Sequence, residues 1–212
     1  MPILKLSGIP AIIRMVNRVK RSKEIDEIWI ATGLSKENDK LCNLLSNKNI
    51  NFYRGDDEDV LSRFIHIGNK TKASYIVRLT GDCPLIDPSI IDQAIEKIIK
   101  NKVDYVSNIL PRSFPDGLDV EVFTKKTLDE TYNNVTEKFS KEHVTTYMHG
   151  LHKSKYKRGN FKKINIINKE NFSHLRWTLD EEKDYYFLND VFKNLDNDIS
   201  WMKIIEYLTK NP

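Results

Sequence analysis

SYIVRLTGDCPLIDP, residues 74–88, decides how the rest of the chain is read. It opens with Tyr75, Ile76 and Val77, an apolar, β-branched run suited to a buried strand, and it breaks at Thr80-Gly81-Asp82. A strand therefore ends on a carboxylate. Pro84 and Pro88 stop further pairing, and Pro88 suits the first position of a helix carrying Ile91, Ile95, Ile98 and Ile99. In open α/β sheets ligands gather at the carboxyl ends of strands, which puts Asp82 where a metal or a hydroxyl can be held. A tight turn closed by an Asp cap is the other reading of Gly81-Asp82, and both stay open.

Working outward, Ile12, Ile13, Val16 and Val19 recur at helical spacing and predict a helix over 10–20. EIWIAT (27–32) reads as a buried strand, and Ser35 is a cap for a helix with Leu41, Leu44 and Leu45. A short strand at 50–53 runs into the acidic loop 54–59, then a helix with Val60, Leu61, Phe64 and Ile67. A strand at 103–107 follows the helix after Pro88. Strands alternating with helices at this spacing imply right-handed βαβ units and a mostly parallel sheet. In the second half Pro115-Asp116-Gly117 signals a turn, after which Leu118, Val120 and Val122 alternate with Asp119 and Glu121. Helices are expected at 125–133 and 140–149, and strands near 161–167 and 175–179. Two amphipathic helices close the chain, one with Tyr186, Leu188 and Phe192, the other with Trp201, Ile204, Ile205 and Leu208. With no repeat or low-complexity tract, residues 1–212 are expected to form one domain.

A chain of 212 residues with 40% hydrophobic and 30% charged content has the make-up of a soluble protein with a full core. The net charge of +4 is too small to imply nucleic acid. The basic run KSKYKRGNFKK (153–163) is read as a solvated loop; nucleic-acid binding through it is the competing reading, and it carries steep salt dependence. Two cysteines, Cys42 and Cys83, form neither a disulfide framework nor a metal cluster, in keeping with a reducing compartment. The apolar runs fall short of the roughly 20 residues of a spanning helix, so a cytoplasmic protein without membrane contact is expected.

Asp180, in HLRWTLDEEKDY (174–185), again ends an apolar stretch just before a helix. It is either that helix's N-cap or a second metal ligand. A hard cation such as Mg²⁺ takes one or two protein carboxylates plus phosphate oxygens and water, which Asp82 and Asp180 together can offer. His143 suits a base, a substrate-orienting group or a helix interface, and Arg176 an anion or a structural ion pair. Asp119 and Glu121 share one strand face, either toward a substrate or on an exposed edge strand. Metal-thiolate spacing, a Walker loop and a nucleophile elbow are all missing from the sequence.

RLTGDCPLIDP (78–88), FYRGDDEDVLSRF (52–64), FPDGLDVEVF (114–123), EHVTTYM (142–148) and HLRWTLDEEKDY together resemble the spore-coat polysaccharide, SpsF-type cytidylyltransferases. That group is similar to the acylneuraminate and Kdo cytidylyltransferases. The resemblance implies a Rossmann-like nucleotidyltransferase of surface-glycan biosynthesis that transfers CMP from CTP to a sugar acid or similar acceptor and releases pyrophosphate. It implies Mg²⁺ on Asp82 and Asp180, nucleotide contacts from Arg78, Asp59 and Arg63, and acceptor contacts from Asp119, Glu121, His143 and Arg176. It also implies a homodimer, with FPDGLDVEVF as a small β excursion for dimerisation or acceptor binding.

One departure stands out. Family members open with a strand and a basic, glycine-containing loop of the form ARxxSxRLPGK that cradles the CTP phosphates, before the segment matched here by PILKLSGIPAIIRMVNRV. This chain starts at that later segment. The expectation is an N-terminally short domain with two exposed neighbouring strand edges, and a catalytically impaired relative acting as a binding or dimer partner is the alternative function.

Overall fold

The computed structural model describes residues 2–150 and 158–210. A hairpin of β1 (Lys5–Leu6) and β2 (Ile9–Pro10) leads into helix α1 (Ala11–Val19). Strand β3 (Trp29–Gly33) is followed by a 3-10 turn, α2 (Asp39–Asn47), β4 (Asn51–Gly55) and α3 (Val60–Thr71). Next come β5 (Tyr75–Arg78), α4 (Pro88–Asn101), β6 (Tyr105–Ser107) and β7 (Glu121–Thr124). The rest comprises α5 (Lys125–Asn134), α6 (Lys138–His143), α7 (Thr146–His149), β8 (Lys163–Asn165), α8 (Glu182–Asn194) and α9 (Trp201–Lys210). Residues 153–157 of the basic run lie outside the described residues.

The β3 and β4 strands pair in parallel, and a four-stranded sheet has the order β5-β7-β6-β8. In that sheet β6 and β8 are parallel, while β7 runs against both β5 and β6. Three of its four strands therefore point the same way. Strand β5 lies at the edge of the sheet, and β3 pairs only with β4 among the described residues. Successive residues of a strand face opposite sides. Accordingly Val106 and Val122 enter one apolar cluster with Ile91, Trp177 and Leu188, whereas Tyr105 and Phe123 enter a second with Leu61, Leu128 and Met148. The sheet is covered on both faces, as an α/β chain requires.

Local signals set most helix starts. Asp87 accepts from the Ser89 main-chain N–H at 2.9 Å with Pro88 in the first turn of α4, and Asp59 accepts from Ser62 N–H at 2.9 Å at the start of α3. Ser35 makes no such bond; its side chain leaves the 3-10 turn uncapped. Ile99 and Tyr186 are exposed, because Ile98 and Leu188 take the core-facing positions of their helices. Arg18 ties α1 to the segment after β5. Fully buried, it donates to the carbonyls of Ile86 (2.7 Å) and Ile199 (2.9 Å) and lies 3.7 Å from the Asp87 carboxylate. Burial lowers its guanidinium pKa to about 10, even with Asp87 opposing the shift.

The strand expected at 175–179 does not form. Trp177 N–H donates to Asp116 O, but Leu179 N–H donates to Asp82 O, so alternate groups pair with two different loops instead of one neighbouring strand. Gly117, at φ +107°, permits the first contact, since a Cβ there meets the Trp177 carbonyl carbon at 2.8 Å. The stretch expected as a β excursion lies within the main sheet, where its second half becomes β7.

Candidate active site

Because β7 is antiparallel, its amino end meets the carboxyl end of β5 at one rim of the sheet. Arg78 lies directly opposite Glu121 in the register, and the two side chains are ion-paired. Glu121 is 2% exposed and also accepts from the Tyr105 hydroxyl. Burial, then the neighbouring Glu121 charge, pushes the Tyr105 phenol well up, so it remains a donor. Asp119 sits two residues earlier and accepts from two nitrogens of Arg112, one at 2.8 Å. Burial raises its pKa despite Arg112, which also reaches Asp116 at 3.1 Å. The exposed-edge reading of Asp119 and Glu121 is thus corrected: β7 is an internal strand, and each carboxylate is matched by an arginine.

A cavity of about 240 Å³ opens beside these pairs. Arg78 and Thr80 line it from the end of β5, Asp119 and Glu121 from the β7 side. The opposite wall comes from α6 and α7, with His143 exposed and its ring centroid 4.2 Å from that of Phe139. The helix expected over 140–149 breaks between them. Val144, completely buried, has φ 58° and ψ −56°, and Thr145 N–H donates to His143 O at 2.6 Å. That is a γ-turn of the strained, positive-φ kind.

Asp82 follows Thr80 in the loop after β5. Next to it, Cys83 is buried with its sulfur 3.0 Å from Thr80 Oγ1; burial, then Asp82, pushes the thiol well up, so it stays protonated and is a poor nucleophile. The bond from Leu179 N–H to Asp82 O, at 2.8 Å, brings the segment carrying Asp180 against this loop. The N-cap reading of Asp180 is corrected: Glu181 flanks α8, and the Asp184 carboxylate accepts from the N–H groups of Asp180 (3.0 Å) and Glu181 (2.8 Å). Asp180 instead accepts from Arg176 at 2.8 Å, and Arg176 also lies 3.0 Å from Asp184. Among the described residues no three metal-ligating side chains converge. A hard cation held by one or two carboxylates completes its shell with phosphate oxygens and water.

The other expected nucleotide contacts have structural partners. Asp59 caps α3 and pairs with Lys141 at 2.9 Å; Arg63 is buried and donates to the carbonyls of Asp56 and Asp57, both at 2.7 Å. They shape the acidic loop and do not line the cavity, whereas Arg78 does. Sequence reasoning missed Arg112, Tyr105 and Thr146, which meet the site only through tertiary packing. Arg54 lies outside the cavity lining and closes over the end of β3 through Gly33 O (3.1 Å), Leu34 O (2.8 Å) and Asp39 (2.8 Å).

This architecture is that of the nucleotidyltransferases. A cytidylyltransferase from Leptospira borgpetersenii superposes with a TM-score of 0.91 at 27% identity, covering 100% of this chain and 87% of that one. The chain belongs to the cytidylyltransferase family, whose profile matches residues 2–204. An uncharacterized protein of Methanocaldococcus jannaschii is 33% identical over 99% of this chain and 84% of its own length. The spore coat polysaccharide biosynthesis protein SpsF of Bacillus subtilis is 28% identical over 93% of this chain and 82% of its own. No helix among the described residues is long and apolar enough to cross a membrane.

Proposed function

We propose that this chain uses CTP to transfer CMP to a sugar acid or similar acceptor in surface-glycan biosynthesis, as an SpsF-type enzyme. The observation that carries the reading is the cavity at the rim shared by β5 and β7, lined by Arg78, Thr80, Asp119, Glu121 and His143; the loop that carries Asp82 begins at Thr80 and is bonded to the segment holding Asp180. An acceptor oxygen attacks the α-phosphorus in line. The new P–O bond forms as the bond to the β-phosphate oxygen breaks, the acceptor's proton leaves to solvent, and pyrophosphate departs. Asp82 and Asp180 are the residues to hold Mg²⁺, which supplies charge neutralisation at the phosphates when bound. The protein's own part is to position the acceptor and exclude water around it. Arg78 is read on the acceptor side, since it lines the same cavity as Asp119, Glu121 and His143. A single cytoplasmic domain working as a homodimer completes the reading.

The test is thermal unfolding with Mg²⁺ and CTP, UTP, ATP or GTP in turn. Ligand at about 100 times its dissociation constant adds roughly 2.7 kcal/mol, or about 5–10 °C for a domain of this size. A rise with CTP alone, followed by pyrophosphate release with an acceptor, is expected. Equal shifts with every nucleotide, or none, would overturn CTP use.

A further inference from the structure

Asp180 is held by a side chain that has other acids within reach. One terminal nitrogen of Arg176, Nη2, faces two carboxylates at once, Asp180 Oδ2 at 2.8 Å and Asp184 Oδ2 at 3.0 Å, and Nη1 lies 3.5 Å from Glu181. The acids differ in how firmly they are fixed. Asp184 is buried, its side chain 7% exposed, and its carboxylate accepts from the N–H groups of Asp180 and Glu181. The Asp180 side chain is 50% exposed; Arg176 is the one partner of its carboxylate among the described residues, and that contact uses Oδ2 alone. The pair has the strength of an exposed ion pair, and breaking it leaves Arg176 with Asp184 and Glu181.

The main chain of Asp180 does not share this freedom. Leu179 N–H is bonded to Asp82 O at 2.8 Å, and the N–H groups of Asp180 and Glu181 are bonded to Asp184, so the backbone is pinned on both sides of the residue. A change of partner at Asp180 then takes rotation of one side chain. A hard cation prefers carboxylate oxygens, and a half-exposed aspartate on a segment bonded to the Asp82 loop meets that preference. Arg176 stands in its way, and it does not line the cavity.

We propose that Arg176 is a latch on the metal site, which holds Asp180 in the metal-free chain and withdraws to Asp184 and Glu181 when a divalent cation takes that carboxylate. This rests on the reading of Asp180 as a metal ligand for cytidylyl transfer, and it gives Arg176 a positioning role in place of an acceptor contact. By competing for Asp180 the guanidinium keeps the site weak for the metal alone and favours a cation that arrives with a nucleotide, whose phosphates supply further oxygens.

The experiment follows Mn²⁺ binding to the intact chain through the electron-spin-resonance signal of the free ion, at about 0.15 M salt, where exposed charges are screened beyond about 8 Å. Arg176→Met is compared with Lys183→Met, which removes a cation paired at 2.7 Å with Glu181 and not with Asp180. Asp180→Asn is measured alone and combined with Arg176→Met. Arg176→Met is expected to bind Mn²⁺ about two- to fivefold more tightly, the equivalent of losing one exposed competing ion pair, and Lys183→Met to change affinity by less than about twofold. Asp180→Asn is expected to weaken binding and to abolish the effect of Arg176→Met. Unchanged or weaker affinity in Arg176→Met overturns the inference, as does an equal rise in Lys183→Met, which would mark a general charge effect. Absence of Mn²⁺ binding in both the unmodified chain and Arg176→Met overturns it also. Unchanged affinity in Asp180→Asn removes that residue from the metal site and the latch with it. A working latch in a chain without a CTP-induced shift or pyrophosphate release removes the cytidylyl-transfer reading and leaves the latch standing. Pyrophosphate release that needs Asp180, with Mn²⁺ affinity indifferent to Arg176, removes the latch alone.

Discussion

Arg78 and Glu121 face each other across the β5–β7 pairing and form an ion pair at the cavity wall, with Glu121 also accepting from the Tyr105 hydroxyl. The pair joins sheet stability to the shape of the site. Glu121→Ala strands a buried phenol and an arginine whose side chain is only 20% exposed. Removing one partner of a buried pair costs about 3–5 kcal/mol, and the lower end applies because Arg78 retains some solvent. A fall in melting temperature of about 6–12 °C is expected, with Glu121→Gln losing less because it still accepts from Tyr105. Equal losses for both variants would show that charge, not hydrogen bonding, dominates at this position.

Asp82 and Asp180 are expected to be needed for turnover but not for folding. Neither carboxylate caps a helix; Asp180 contacts Arg176, which keeps Asp184 as a partner after Asp180→Asn. Each Asn variant should lower the rate of pyrophosphate release by roughly a hundredfold or more, the scale of losing a group that stabilises developing charge. Stability should change by less than about 1 kcal/mol, for Asp180 the scale of an exposed ion pair. Near-normal rates in either variant would remove that residue from the metal site.

Much of the framework is legible from local signals, because those signals are complete within a few residues. Asp87-Pro88 starts α4 and Asp59 starts α3 with no help from distant parts of the chain. The site is less legible because its partners are far apart in sequence. Glu121 alternates with valines as an edge-strand residue does, and only Arg78, 43 positions away, and Tyr105 make its burial possible. Residues 175–179 carry a strand-like pattern since Trp177 and Leu179 are buried, yet their main-chain groups bond to separate loops. EHVTTYM scans as one helix because apolar periodicity does not register a single positive φ at Val144.

Arg18 should be among the least tolerant positions. Its guanidinium is the donor for carbonyls from two distant segments, at Ile86 and Ile199, and faces Asp87. Arg18→Met keeps much of the volume but leaves those carbonyls and a buried carboxylate without their cation. A cost of about 3–5 kcal/mol is expected from such an uncompensated charge, seen as a lower urea midpoint with an unchanged slope. The double variant Arg18→Met with Asp87→Asn should recover part of the loss, since it removes the stranded charge while Asn still caps α4. No recovery would mean that the carbonyl contacts, not the ion pair, carry the effect.

Asp184 organises the start of α8 and with it the main chain of Asp180. Burial pushes its carboxyl pKa up, but the N–H groups of Glu181 and Asp180, then the charge of Arg176, outweigh this and leave it below the usual carboxylate value. A depressed pKa means that the folded state favours the ionised form, so its stabilisation is complete above the unfolded value near 3.9 and fades as pH falls through the folded one. Asp184→Ala should cost about 1 kcal/mol at pH 7, the usual loss for a removed cap, lowering the melting temperature by about 2–4 °C. Urea unfolding of both proteins between pH 7 and pH 3 checks the assignment. The gap should be constant down to about pH 4 and narrow below it; a gap that stays constant to pH 3 would place the effect in packing and not in the carboxylate.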